Sequence, residues 1–381
     1  RGEVPMPPSW RQCVFIPLLK AGKPSDRIDS YRPVAITSIL SRLCERVLLH
    51  RIMRMVEPCL HERQHGFRSH VSTTQAAAAL LGDALEGLST REPCVYTRLD
   101  GTTYNDARTN SSLLACIDLT DAFSKLPHER IREALSRTRV APYAANFVTN
   151  WLHGRQARVF LRGEVSGWAP LTAGVPQVSV LGPLLFTLVM DSLLHIMDRA
   201  ARTLSVPRVL RCNFAAFADD FALTVRSSQD SLLQISLQEM LDVLTFWCTE
   251  NGMQVSAKTC ISILAPSARR VVTFDPFRVL DATFEVQQRP QRYLGILVDQ
   301  TLCFGEHVKS AVAKAEEFRH KLAAISRTVR PVHLRSLWCS MVFTMLYASE
   351  AWADRISEAS WTALESAHSQ GCRTLLSLVA G

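Results

Sequence analysis

Three aspartates carry the richest chemistry this sequence offers. Asp118 stands near the end of an apolar run, Leu113 to Leu119, and Asp219-Asp220 follow about a hundred residues later. That pair separates two further short β-type runs, Asn213 to Phe217 and Phe221 to Val225. Adjacent carboxylates repel each other, yet Phe214, Phe217, Phe221, Leu223 and Val225 demand burial around them, so the pair is expected at the tip of a buried hairpin. Divalent cations make such a pair tolerable. Hard cations such as Mg²⁺ take oxygen ligands, and carboxylates converging from separate strands suit them. Two metals roughly 3.5–4 Å apart stabilise the attacking and leaving oxygens of an in-line phosphoryl displacement. A lone Asp-Asp turn is usually an ordinary solvated loop, so the surrounding elements decide.

Those elements follow from periodicity. Val14 to Leu19, Ala157 to Arg162, Val255 to Leu264 and Tyr293 to Val298 read as strands. Ile39 to Val56 has helical spacing at Leu40, Leu43, Val47, Leu48, Ile52 and Val56, with arginines between. Ser72 or Thr73 caps a helix running to about Leu88. His128 to Arg137, Ala144 to His153, Leu181 to Met197, Ser231 to Asn251 and Val308 to Ile325 are further helices. Leu99 to Ser112 is polar and aperiodic and reads as a surface loop.

Charge and composition narrow the function classes. At 381 residues the chain exceeds what one core usually covers, so two or three subdomains are expected. The 47% apolar and 20% charged content excludes a disordered tail or a disulfide miniprotein. The net charge of +8 is uneven: Pro8 to His70 holds 11 basic residues against 5 acidic, and His307 to Arg335 holds 7 against 2. Two basic arms flank a slightly acidic middle, an arrangement suited to gripping a polyanion. Leu181 to Met197, at about 17 residues with Asp191 and His195 inside, is at the short edge for a span and argues against a membrane protein. The 11 cysteines are scattered without CxxC spacing and read as free thiols of a reducing compartment, without a structural zinc site. The chain opens on Arg1 without a signal peptide, and a piece of a longer polypeptide is expected.

Phe217-Ala-Asp-Asp220 resembles the catalytic hairpin of reverse transcriptases, and other blocks follow in that family's order. Cys116-Ile-Asp-Leu-Thr-Asp-Ala-Phe-Ser-Lys-Leu-Pro-His128 and Gly174-Val-Pro-Gln-Val-Ser-Val-Leu-Gly-Pro-Leu-Leu-Phe186 resemble palm motifs of non-LTR (LINE-type) retrotransposon enzymes. Tyr31-Arg-Pro-Val-Ala-Ile-Thr-Ser38, Gln64-His-Gly-Phe-Arg68 and Ser72-Thr-Thr74 resemble finger motifs. Asn251-Gly-Met-Gln-Val-Ser-Ala-Lys-Thr259 and Tyr293-Leu-Gly-Ile296 resemble the last palm motif and the primer grip, and Leu346-Tyr-Ala-Ser-Glu-Ala-Trp352 a segment beyond the thumb.

The resemblance implies an α+β right-hand polymerase: fingers at 1–112, a palm of antiparallel strands backed by helices at 113–304, and a helical thumb with the start of a connector at 305–381. It implies an RNA-directed DNA polymerase that extends a DNA primer with dNTPs on an RNA template, with two Mg²⁺ ions (Mn²⁺ as a substitute) on Asp118, Asp219 and Asp220. Phe123 lies where the family places an aromatic residue under the incoming sugar, leaving no room for a 2′-hydroxyl. Gln177 is expected to touch nucleotide or template, and Lys258 to protonate the departing pyrophosphate. Arg32, Arg42 and Arg68 are candidates for triphosphate and template contacts, because a guanidinium bridges phosphate oxygens. The basic stretch from His307 to Arg335 would lie along the duplex as the thumb. Nuclear action, and an endonuclease or RNase H elsewhere on the same polyprotein, are also implied.

One departure bears on activity. The family usually places Gly after the motif glutamine, and this chain has Val178. If φ is positive there, a β-branched residue costs about 1–3 kcal/mol and sets two methyls in the template's path. Two readings therefore stand: an active polymerase, or a polymerase-shaped remnant that binds RNA without efficient extension. A viral RNA-copying RNA polymerase is disfavoured, since such enzymes usually carry Gly where this chain has Ala218.

Overall fold

The structure, a computed structural model, describes residues 6–97, 103–204, 210–270, 272–326 and 328–380. It opens with β1 (Gln12–Leu19) and β2 (Tyr31–Thr37), antiparallel, and continues into helix α1 (Ile39–Val56). Only the second half of the α1 stripe is core: Leu48, Ile52 and Val56 are buried, whereas Leu40, Leu43 and Val47 are exposed, contrary to the expectation from spacing. Helix α2 (Thr73–Ser89) begins at a reciprocal cap, in which Gln75 N–H donates to Ser72 Oγ and Ser72 N–H donates to the Gln75 side chain. Next come β3 (Arg91–Thr97) and β4 (Thr103–Thr109), paired antiparallel. The stretch read as a loop is thus mostly strand, with 98–102 outside the described residues. A polar strand carries no apolar alternation to betray it.

Strand β5 (Ser111–Asp118) is the centre of the molecule. Helices α3 (Ala122–Lys125), α4 (His128–Arg137) and α5 (Pro142–Leu152) lead to β6 (Gln156–Leu161), β7 (Glu164–Val165) and β8 (Ala169–Pro170). β6 pairs parallel with β1, so residues 156–170 complete the sheet built by the N-terminal strands. The long α6 (Gly182–Leu204) precedes β9 (Leu210–Phe217) and β10 (Asp220–Ser227), and α7 (Asp230–Asn251) follows, ended by Gly252 at φ +65°. β11 (Cys260–Leu264) is shorter than the strand expected from Val255, because Val255 makes only a single bridge, to Leu119, and 256–259 form a turn.

Short strands β12 (Phe277–Val279), β13 (Ala282–Phe284) and β14 (Val286–Gln287) lead to β15 (Gln291–Tyr293) and β16 (Ile296–Val298). The last two form a hairpin where one strand was expected, turned at Gly295 with φ +90°. Helices α8 (Gly305–Ile325), α9 (Pro331–Met345) and α10 (Glu358–Ala380) close the chain. The expected single basic stretch is two helices, and His307 is buried against Trp352.

The central sheet runs β14-β11-β5-β10-β9. Strand alternation sends its two faces into separate cores. Leu113, Ala115 and Ile117 join α4, α5, α6 and α7, while Leu114, Ala222 and Leu264 join α2, the β15–β16 hairpin and α8 to α10. A strand buried on both faces, ending in a carboxylate, holds that carboxylate rigidly at the sheet's rim. Among the described residues no helix is long and apolar enough to cross a membrane, and the ten cysteines whose side chains are described are free thiols.

Candidate active site

Register brings the three aspartates together. β10 lies antiparallel between β5 and β9, with Asp220 opposite both Asp118 and Phe217. The two-residue turn is therefore Ala218-Asp219, one position earlier than the Asp-Asp tip expected from sequence, and Asp220 is the first residue of the returning strand. Ala218 sits at φ +59°, the conformation such a hairpin turn requires. Burial is the main reason the Asp220 carboxyl is pushed up to about 6; the charges of Asp219 and Asp118 add to it and Lys258 opposes it. Asp219 is raised as well, by burial first and by Asp118, against its own backbone N–H and the charges of Arg32 and Lys258. Carboxylates held together against their mutual repulsion bind a cation more readily than a proton at neutral pH.

The block from Asn251 to Thr259 wraps the end of β5. Asp118 N–H donates to Thr259 Oγ1 (3.1 Å), and Ser256 N–H donates to the Asp118 carbonyl (2.7 Å). This turn presents Lys258, whose Nζ lies 3.6 Å from Asp118 Oδ2 while its side chain stays 80% exposed. An ion pair so open adds little stability, so the ammonium is free to follow another anion.

The segment from Gly174 to Gly182 forms the opposite wall. Gly174, at φ +79°, passes so close to Ser124 that a Cβ would lie 2.3 Å from its carbonyl oxygen. Val175 N–H donates to the Phe123 carbonyl, and the Phe123 ring packs on Phe186 with centroids 4.7 Å apart. Gln177 accepts from Ala35 N–H of β2 through its carbonyl and donates from its amide to Ser124 Oγ (3.3 Å). Val178 has φ +76° and is 60% exposed, so the condition attached to it in the sequence is met. Beyond it, Val180 N–H donates to the fully buried Glu45, which also accepts from Ser41. Glu45 gave no chemical signal in sequence, since it reads as one more polar position on α1.

The arginines divide. Arg32 is exposed on β2 with its charge acting on Asp219. Arg42 is exposed on α1, and among the described residues no side-chain contact ties it to the carboxylates. Arg68 is held: Nε lies 2.9 Å from Glu57 Oε1, and Nη1 donates to the carbonyls of His61 and Gln64. Its guanidinium is largely occupied inside the protein, unlike a residue waiting for phosphate. On the basic helices, Lys309 and Lys321 pair with Glu306 and Glu317, while Lys314 and Arg335 are exposed and, among the described residues, form no ion pair.

Oxygen-only donors, partly desolvated and mutually repelling, suit a hard divalent cation. Among the described residues no three side chains are already closed into one ligand sphere. Asp118, Asp219 and Asp220 are instead adjacent donors that share a rim.

The model of the reverse transcriptase (RNA-dependent DNA polymerase) family matches residues 20–298. The chain belongs to that family, and its fold is the α+β right-hand polymerase. It is 27% identical over 338 residues to the RNA-directed DNA polymerase from mobile element jockey of Drosophila melanogaster, covering 88% of this chain and 34% of the relative. It is 26% identical to the jockey enzyme of Drosophila funebris over 78% of this chain and 30% of the relative. The Retrovirus-related Pol polyprotein from type-1 retrotransposable element R2 of Popillia japonica is 28% identical over 77% of this chain and 38% of the relative. The chain thus spans about a third of the length of these relatives. A solved structure of apo telomerase from Candida tropicalis, truncated from its C-terminal domain, aligns with TM-score 0.44 and 11% identity, over 70% of this chain and 53% of that one. The likeness to non-LTR retrotransposon enzymes seen in the sequence blocks is borne out by the mobile-element relatives. Enzymes of this family act on nucleic-acid template and primer and work with divalent metals.

Proposed function

We propose that this chain is the polymerase of a non-LTR retrotransposon polyprotein, extending a DNA primer 3′-end with dNTPs on an RNA template. The observation that carries the reading is the register of Asp220 opposite Asp118 with Asp219 at the adjoining turn, three carboxylates on one rim. Two Mg²⁺ ions, replaceable by Mn²⁺, when bound lower the pKa of the primer hydroxyl and carry the triphosphate. Asp118 and Asp219 supply the principal ligand oxygens and Asp220 the third. Lys258 swings from Asp118 to give its proton to the pyrophosphate oxygen as the P–O bond breaks. Phe123, backed by Phe186, keeps a flat apolar floor beneath the sugar and excludes a 2′-hydroxyl. Gln177 and Arg32 contact nucleotide and template, and Arg42 takes a template phosphate from the face of α1.

The fingers extend over 1–112 with the strands of 156–170 added to their sheet. The palm takes the rest of 113–304, and the helices from 305 grip the duplex by sequence-blind phosphate contacts. The chain works in the nucleus, beside an endonuclease, and in some arrangements an RNase H, of the same polyprotein.

Incorporation of labelled dNTPs with Mg²⁺ on a primed RNA template tests the reading, with Asp219→Ala as the paired variant. Wild-type incorporation abolished in the variant is expected. Background incorporation in both would favour the second reading, an RNA-binding remnant, for which the specific observation is Val178 at φ +76°.

A further inference from the structure

The segment from Glu57 to Arg68 is placed under the catalytic turn in a way that its likeness to a finger motif does not explain. His65 N–H donates to the Ala216 carbonyl (2.8 Å), and Ala216 N–H donates to the Arg63 carbonyl (3.0 Å), so the segment adds a short parallel pairing to the outer edge of β9. Two residues on, the β9 strand gives way to Ala218-Asp219. Gly66 meets that turn directly: a Cβ on it would stand 2.2 Å from Ala218 N and 3.0 Å from the Phe217 carbonyl carbon. Only glycine permits so close an approach of two backbones. Gln64 is fully buried and accepts from Gly66 N–H, fixing the height at which Gly66 passes.

Arg68 closes this segment on itself. Its Nε pairs with Glu57 and its Nη1 reaches the carbonyls of His61 and Gln64, at 2.9, 3.0 and 3.1 Å, with only 16% of the side chain exposed. One guanidinium thus ties the start, middle and end of the segment. His61 N–H anchors it to Asp191 of α6 (2.7 Å). We propose that the Glu57–Arg68 clamp is a positioning device that acts through Gly66 on the Ala218-Asp219 turn, and that Arg68 does not touch the nucleotide. The inference rests on the proposed role of Asp219 as a cation ligand. Displacing a reacting group by about 1 Å costs up to a hundredfold in rate, so a support of this kind acts on turnover.

Two measurements on the whole chain test it: Mn²⁺ binding to the protein alone, read from the electron paramagnetic resonance of the free ion, and steady-state primer extension. The variants are Glu57→Gln, Arg68→Lys, their double combination and Asp219→Asn. Both single clamp variants should weaken Mn²⁺ binding and lower kcat about tenfold or more, with the KM for dNTP within about twofold of wild type. The double variant should be no worse than the more damaging single. A raised KM for dNTP in Arg68→Lys with a silent Glu57→Gln would make Arg68 a substrate ligand and overturn the proposal. If Asp219→Asn loses Mn²⁺ while both clamp variants bind it like wild type, the clamp inference alone fails. If Asp219→Asn and wild type bind Mn²⁺ equally, the cation reading of the site fails instead. A melting temperature that collapses in both clamp variants also counts against the proposal, because a local support leaves the two cores intact.

Discussion

Val178→Gly isolates one backbone dihedral in the site. Val178 holds φ +76° and is 60% exposed, so its side chain gains little from packing. Its neighbours cannot turn the residue out of that conformation: the Gln177 carbonyl is bound by Ala35 N–H, and Val180 N–H is bound by Glu45. Holding a β-branched residue there costs about 1–3 kcal/mol. Glycine removes that strain and returns about 0.5–1 kcal/mol through its larger unfolded-state entropy. The net gain is about 0–2.5 kcal/mol, and its mid-range value of about 1 kcal/mol raises the melting temperature of a chain of this size by about 1–2 °C.

Activity separates strain from steric blocking. Val178→Ala keeps a Cβ at positive φ but removes both methyls, so it should recover much of the extension rate without much of the stability. Val178→Gly should improve both. The assays are differential scanning calorimetry and single-turnover primer extension. A melting temperature unchanged or lower in Val178→Gly would refute the strain argument, and an unchanged extension rate in both variants would refute the blocking argument.

Three further outcomes follow from the site. The raised Asp220 carboxyl means that the metal-free native state holds this proton more tightly than the unfolded chain between the ordinary carboxylate value of 3.8 and about 6. Metal-free stability should therefore fall as pH rises through that window while Mn²⁺ affinity rises, and Asp220→Asn should flatten both slopes in a melting and titration series. Phe123→Ala should relax discrimination between deoxy- and ribonucleotides by about tenfold or more, read as the ratio of kcat/KM values; an unchanged ratio would leave Phe123 as core packing on Phe186 alone. Lys258→Met should lower single-turnover extension about a hundredfold or more with little change in the melting temperature, since the residue is 80% exposed. Full activity would dismiss the proton donor.

The helices were legible from their apolar spacing and the central strands from short apolar runs buried on both faces: Ile39 to Val56 and His128 to Arg137 match residue for residue. What periodicity does not report is which face is covered, and so Leu40, Leu43 and Val47 looked like core. The turn was misplaced by one residue for a related reason. Alanine has no preference for positive φ, so only the register of Asp220 with Asp118 and Phe217 shows that Ala218 must adopt it. Arg68 was read as a phosphate ligand because its neighbours in sequence matched a motif, whereas its partner Glu57 stands 11 residues upstream on a segment that folds back. Glu45 had no local mark at all; its meaning comes from Val180, 135 residues away.

Five non-glycine residues with positive φ each sit within two positions of a candidate site residue: Phe67 and His70 on either side of Arg68, Asp121 before Phe123, Val178 after Gln177 and Ala218 before Asp219. Strain of this kind costs about 1 kcal/mol or more at each and persists only where the surroundings over-determine it. Three of the five are visibly over-determined from close by. The Asp121 carbonyl accepts from Ser124 and Lys125 N–H, the loop of Val178 is pinned on both sides, and Ala218 lies 6% exposed against Gly66. The difference between the last two is exposure. At Ala218 the small side chain fits beneath a covering backbone, so the strain narrows the turn to the one conformation that aims Asp219. At Val178 no covering group uses the added methyls, and the residue carries the cost of positive φ without a packing gain. Relief at Val178 should therefore help the protein, whereas Ala218→Gly, which relieves similar strain, should loosen the turn and lower kcat.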